Sequence, residues 1–394
     1  MSELSSACFY QLNSPIKNYP WGSHTALNAL FNVPNPENQP QAEIWMGVHP
    51  AGCSSVIDDG QSLLLSALIE RDKGALLGKH ISDKFSELPF LLKILSAEKA
   101  LSIQVHPEKD KAQAGFSRQQ ASEILSANPD YNDANHKPEL VFAITSFQAM
   151  NGFREIPQIV AHFAALELPV TLFDLASQPD NSGLKAFFLS LMNLPAMERV
   201  TAVRSLVSKA AALYPTDIAK LIANLNHQYP DDIGVFAPLF LNCITLQPGQ
   251  AMFLYPGTLH AYVQGTAVEV MASSDNVLRA GLTPKKINLT ELERCTNFVS
   301  TPFASLLMTP KQQDNRDCYP IPVEDFNFDV LKVSKNHNIT AKTAEIVLAL
   351  QGDTILRHGS GEQLHLKAGE SAFIPACSEI YLVETSGLAC RVYA

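Results

Sequence analysis

Leu246-Gln-Pro-Gly-Gln-Ala-Met-Phe-Leu254 and Leu366-Lys-Ala-Gly-Glu-Ser-Ala-Phe-Ile374 lie 120 positions apart and share Leu, Gly and Phe in register. Each reads as the end of one strand, a glycine turn and the start of the next. Self-similarity at that spacing argues for two related all-β units. Strand signals surround the first copy at residues 239–246, 251–255 and 267–271, and a last all-strand unit runs from about Phe326 to Ala394. Many short strands separated by turn residues point to a jelly roll or a related closed sandwich.

Upstream, Pro and Gly break the chain into short apolar segments: Glu43-Ile-Trp-Met-Gly-Val48, Phe90-Leu-Leu-Lys-Ile-Leu95, Leu101-Ser-Ile-Gln-Val105 and Glu139-Leu-Val-Phe-Ala-Ile144. These read as strands, with surface helices expected over 63–71 and 111–126. The period then changes. Leu184, Phe187, Phe188 and Leu191, followed by Val200, Val203, Leu206, Val207 and Ala210, keep the three-four spacing of an apolar helical stripe. Ile218, Leu221, Ile222 and Leu225 continue it after a Thr216-Asp217 start signal. The expected layout is a first jelly roll in two parts, 1–154 and 229–320, split by a helical insertion at 155–228 and followed by a second jelly roll at 321–394.

Composition bounds the function. The 394 residues exceed what one core usually supports. At 46% apolar and 17% charged, the chain has ample material to bury. A net charge of −10 repels nucleic acid and offers no basic run for phosphate backbones. The longest near-apolar stretch, 234–246, carries Pro238 and Asn242 and is too short to cross a bilayer. Neither nucleic acid nor membrane is expected as a partner. The first ten residues lack the charged flank and apolar run of a secretory signal, so the cytoplasm is the expected address. Seven scattered cysteines without CxxC spacing fit reduced, buried thiols.

Three separate stretches offer metal ligands. Gln104 and His106 alternate along one strand and project from the same face, about 7 Å apart at the backbone. Asn135-His-Lys-Pro-Glu139 sets a carboxylate at the start of the next strand. Pro256-Gly-Thr-Leu-His260 sets a histidine just after a turn. Zinc takes His nitrogen and carboxylate oxygen. His106, Glu139, His260 and the Gln104 amide oxygen would make four ligands and leave room for substrate.

Pro248-Gly249, with His260 eleven positions after the glycine and a QxH upstream where HxH is usual, resembles the two-part metal motif of the cupin superfamily. Within it, Tyr19-Pro-Trp-Gly22, Ala42-Glu-Ile-Trp-Met-Gly-Val-His-Pro50, Leu101-Ser-Ile-Gln-Val-His-Pro107, Asn135-His-Lys-Pro-Glu139 and Ser274-Asp-Asn-Val-Leu-Arg-Ala-Gly-Leu-Thr-Pro-Lys285 are similar to the type I mannose-6-phosphate isomerase family. Gln104 departs from most cupins, and Pro20 stands where many relatives have Asp or Ala.

The resemblance implies two cupin-type jelly rolls plus a helical domain. It also implies a zinc aldose-ketose isomerase that interconverts mannose 6-phosphate and fructose 6-phosphate through a cis-enediol(ate). The metal ligands carried over are Gln104, His106, Glu139 and His260. Glu269 and Arg279 fall beside the reacting carbons, with Lys137 and His136 as rival acid-base groups and Asp275 as an orienting carboxylate. Lys93, Ser102 and Lys285 match the phosphate pocket, and Trp21 a sugar contact. His260 maps at the repeat offset onto Ile380, so one zinc per chain is expected, with the second jelly roll metal-free. A monomer is the expected state. Two other functions compete: an iron-dependent cupin dioxygenase, and a non-catalytic sensor binding metal and sugar phosphate.

Overall fold

The computed structural model describes residues 7–121 and 129–394. The first jelly roll is built from strands β1 (Glu43–Met46), β2 (Phe90–Ala97), β3 (Ile103–Val105), β4 (Glu139–Ala143), β5 (Phe147–Phe153), β6 (Leu241–Leu246), β7 (Ala251–Leu254), β8 (His260–Ala272) and β9 (Leu278–Gly281). Its sheet runs β6-β5-β8-β2-β1, with β7 on β4 and β9 on β3. Strand β8 is the spine. Its first residues pair with β3 and β5, and its second half pairs with β2 and β4, all antiparallel.

Two local features let one strand serve both halves. The pairing of β8 with β5 slips between Tyr262 and Gln264, a bulge that resets which face each side chain points to. Gly265 then takes φ 122°, and a Cβ there would meet the Ser146 carbonyl oxygen at 2.5 Å. Only glycine fits both the dihedral and the contact.

The helical insertion comprises α1 (Ile156–Leu166), α2 (Asn181–Met192), α3 (Ala196–Leu213) and α4 (Thr216–Gln228). Leu184, Phe187, Phe188, Leu191, Val203, Leu206, Ile218, Leu221, Ile222 and Leu225 are all buried, in one cluster with Val105, Phe153, Ala261 and Leu278 from the strands. The stripe read from the sequence is therefore the face that seals the insertion onto the sheet.

The second jelly roll contains β10 (Asn327–Thr340), β11 (Glu345–Gln351), β12 (Thr354–His358), β13 (Gln363–Leu366), β14 (Ser371–Ile374) and β15 (Ile380–Tyr393). The internal repeat is visible in its geometry. Gly249 and Gly369 share φ 88°, β8 opens at His260 as β15 opens at Ile380, and Leu254 pairs with Glu139 as Ile374 pairs with Glu345. Glu345 is buried like Glu139, but Arg391 grips it through Nε at 2.6 Å and Tyr381 donates to it at 2.6 Å. Early residues also join this unit: Tyr10 and Gln11 pair with β14. The two jelly rolls share one core in which Leu92, Phe142 and Val270 pack with Phe328, Ile346 and Phe373.

Local expectations shift in four places. Residues 239 and 240, read as strand, close the short helix Ala237–Phe240, and the strand starts at Leu241. The helix expected over 63–71 is Leu65–Arg71, since Leu63 and Leu64 finish a hairpin strand. The helix expected over 111–126 is Lys109–Gln120, and the remainder of that expectation falls on 122–126, outside the described residues. Of the seven free cysteines only Cys295 and Cys390 are buried, and Cys377 is exposed.

Candidate metal centre and its cavity

Three candidate ligands meet at the mouth of the first jelly roll. β3 ends beside His106, β4 begins with Glu139 and β8 begins with His260. Their donor atoms all lie within 4.8 Å of one another. Glu139 Oε1 is 3.3 Å from His106 Nε2, and Oε2 is 3.5 Å from His260 Nε2. Two ligand atoms on a tetrahedral dication with bonds of about 2.0–2.2 Å are separated by roughly 3.3–3.6 Å. The spacing already matches.

The chemistry of these donors matches too. Burial pushes His106 down to about 4, and it also lowers His260, so both imidazoles are neutral. For Glu139, burial works against ionisation, but the groups around it, the Lys137 ammonium among them, outweigh it and hold the carboxyl well below its usual range. The Nδ1 atoms face backbone carbonyls, Asn276 O at 2.6 Å for His106 and Thr258 O at 2.9 Å for His260. Each Nδ1 therefore carries the proton and leaves Nε2 with a lone pair. His106 Nε2 is buried and has no hydrogen-bond partner. Such an orphan is costly unless a further group takes its lone pair.

Gln104 lies beside His260 in the β3–β8 pairing. Its amide nitrogen donates to Ser102 Oγ at 3.3 Å, which leaves the amide oxygen as the free acceptor. Gln104, Glu139 and His260 line a cavity of about 310 Å³ together with Trp21, Lys93, Ser102, Lys137, Glu269, Arg279 and Lys285. A second cavity of about 340 Å³ shares Tyr19, Glu43, Lys93, Lys137, Val277 and Arg279 with the first and adds Trp45, His49 and Asp275. The two form one cleft.

The cations of the cleft divide into two kinds. Lys93 is buried and sits 2.9 Å from Glu269 and 3.6 Å from Glu43. Burial works to strip its proton, but those two carboxylates reverse the effect and raise it. Lys137 lies 3.3 Å from Glu139. Arg279 and Lys285 have no ion-pair partner among the described residues, so their charge is available to an anion.

Family models for the type I phosphomannose isomerase catalytic domain and helical insertion domain match residues 9–156 and 159–241, and a model of the mannose-6-phosphate isomerase cupin domain matches 315–394. The chain is 44% identical over 394 residues to mannose-6-phosphate isomerase of Escherichia coli K12, spanning 97% of this chain and 99% of that one. The chain belongs to the type I phosphomannose isomerase family. It is also 36% identical to the Homo sapiens mannose-6-phosphate isomerase, over 95% of each chain. A zinc-bound holo crystal structure of mannose 6-phosphate isomerase superimposes with TM-score 0.94 at 41% identity, covering 98% of this chain and 99% of that one. A mutant of phosphomannose isomerase from Salmonella typhimurium gives TM-score 0.95 at 40% identity over the same shares.

Within this family member, three expectations change. His136 is not among the residues lining the cleft: its Nε2 is 3.0 Å from Asp325, just before β10. Lys137 and Glu139 are the residues of this stretch that line the cavity. Asp275 orients neither metal-site histidine, because backbone carbonyls already hold both. It accepts instead from His49 Nε2 at 3.2 Å, and that bond holds its carboxyl below the ordinary carboxylate range. Lys93, expected in the phosphate pocket, is committed to Glu269 and Glu43 in the floor of the cleft.

Sequence inspection missed Tyr262. It is buried, and its hydroxyl lies 2.8 Å from Glu269 Oε1 and 3.3 Å from Glu139 Oε2. Its single proton goes to the nearer oxygen, on Glu269, which adds the phenol to the Glu269–Lys93 pair. The signal was present two residues after His260, on the same face of β8. Glu43 was also passed over as a site residue. It accepts from Trp45 Nε1 at 2.7 Å and supplies the second carboxylate on Lys93.

Proposed function

We propose that this chain interconverts mannose 6-phosphate and fructose 6-phosphate with one zinc ion held by Gln104, His106, Glu139 and His260. The observation that carries this reading is the buried, unpartnered His106 Nε2 facing an ionised carboxylate and a second neutral imidazole, in a cleft that also presents uncommitted cations. When bound, zinc acts as a Lewis acid toward a sugar oxygen and eases loss of the proton on the adjacent carbon.

The chain's own groups do the rest. Aldose-ketose isomerisation moves a proton between C1 and C2 on one face of a cis-enediol(ate), which needs one group that can take and return it. We assign that role to Lys137. As the free amine it takes the proton from one carbon and, then an ammonium, returns it to the other; its nitrogen lies 3.3 Å from Glu139 and the side chain lines both parts of the cleft. Both oxygens of Glu269 already accept, from Lys93 and Tyr262. Arg279 stays protonated and offers fixed positive charge where the enediolate oxygen develops. Lys285, at the rim, together with Ser102, receives the phosphate, and Trp21, stacked on Tyr19 at 5.8 Å, walls the sugar.

Glu43, Lys93, Glu269 and Tyr262 support the reacting residues from below and exclude water. The deciding experiment is a coupled assay for mannose 6-phosphate conversion with chelator and after zinc is restored. Activity that is lost and regained supports the assignment, and turnover indifferent to chelation contradicts it. A sensor would bind the sugar phosphate without turning it over.

A further inference from the structure

A third polar cavity, of about 380 Å³, lies where the helical insertion meets the first jelly roll. Its walls include Arg199 in the first turn of α3, Asp231 and Asp232 after α4, and Thr283 and Lys285 after β9. The carboxylates are already satisfied. Asp232 accepts from the backbone N–H groups of Gly234 at 2.7 Å, Leu282 at 2.7 Å and Thr283 at 3.4 Å. Asp231 takes a two-pronged bond from Arg204, at 3.2 and 3.1 Å.

The cations are not. Arg199 has no ion-pair partner among the described residues, and its Nε is buried without any hydrogen-bond acceptor. Lys285 likewise has none, and it lines this cavity and the metal-bearing one alike. Two uncommitted cations therefore face one cavity in which Asp231 is paired with Arg204 and the Asp232 oxygens are turned to backbone N–H groups, in a chain of net charge −10. A guanidinium with a buried, unsatisfied N–H is suited to the oxygens of a tetrahedral oxyanion.

We propose that this cavity is a second anion site, taking the phosphate group of a small phosphorylated compound or inorganic phosphate. Lys285 is its shared wall. An anion held by Arg199 draws Lys285 away from the cleft, so occupancy of this site weakens capture of the substrate's phosphate. That consequence rests on the role given to Lys285 above, whereas the existence of the site does not.

The test is calorimetric titration of the full-length zinc-loaded protein with inorganic phosphate and, in a parallel arm, with glycerol 3-phosphate. The tighter of the two identifies the source. Wild type is expected to bind two phosphates per chain and Arg199→Met one, with the Michaelis constant for mannose 6-phosphate changed less than twofold when phosphate is absent. Phosphate added to the assay should raise that constant in wild type and do so at least tenfold less effectively in Arg199→Met. Arg199→Lys keeps the charge and the helix, and should retain the second event at reduced affinity, which covers the case of a poorly folded Met variant. One phosphate per wild-type chain, or equal stoichiometry and affinity in wild type and Arg199→Met, overturns the proposal. Because binding is read without turnover, a failed isomerase assay leaves this result intact.

Discussion

Replacing Lys93 by Met separates a structural cation from a substrate-binding one. Lys93 is 5% exposed and its ammonium sits between Glu269 and Glu43. Removing one partner of a buried charge cluster leaves the others uncompensated, at a cost of about 3–5 kcal/mol. The melting point should fall by on the order of 10 °C, read by circular dichroism on the zinc-loaded protein. Lys285 is exposed, and its replacement should move stability by no more than about 0.5 kcal/mol. The deficit in Lys93→Met also has a pH signature. Burial already raises Glu269, Lys93 opposes that rise, and Glu139 and Glu43 add to it. Without Lys93 the carboxyl rises further. The native state then keeps a proton that the unfolded chain has released above about pH 4.3, so stability falls as pH rises through the folded value. The gap to wild type should be smaller at pH 5 than at pH 8. Adding Glu269→Gln removes one stranded charge and should recover part of the loss. A Lys93→Met protein that melts within about 2 °C of wild type, with only a raised Michaelis constant, would refute the structural role and return Lys93 to the phosphate.

Other substitutions probe the remaining parts of the cleft. His260→Ala should lose bound zinc on metal analysis, and full retention would contradict its place in the ligand set. Lys285→Ala is expected to raise the Michaelis constant for mannose 6-phosphate at least tenfold while sparing the melting point; an unchanged constant excludes phosphate capture. Tyr262→Phe removes a bond to a buried carboxylate and should cost about 1–3 kcal/mol, with a lowered kcat and zinc content near wild type. Lys137→Met should abolish exchange of the C1 or C2 proton with solvent, measured by isotope incorporation, and persistent exchange would move the shuttle to another group.

Much of this molecule is legible from local pattern. The apolar stripes of α2 to α4 mark their buried face because helical periodicity is set within a few residues. The glycine turns at 249 and 369 identify themselves because their φ of 88° demands glycine. The metal-ligand candidates His106, Glu139 and His260 could be chosen because few residue types ligate a dication and each stood at a strand end. Less was legible where a residue's role depends on what stands across the sheet. Lys93 looked like a phosphate ligand from its apolar surroundings, yet Glu269 faces it in the register of β2 and β8. His136 looked equivalent to Lys137, and a partner 189 positions away, Asp325, decides otherwise.

The chain by itself determined the two jelly-roll units, the helical insertion between strands and the types of chemistry available, since turns, periodicity and ligand identity are local properties. Tertiary structure decided which groups share a cavity. His260 and Glu269 are an odd number of positions apart and would face opposite sides of a regular strand. The slip near Tyr262 and the bend at Gly265 bring both into one cleft, and that bulge exists only because β8 must pair with β5 at one end and with β2 at the other.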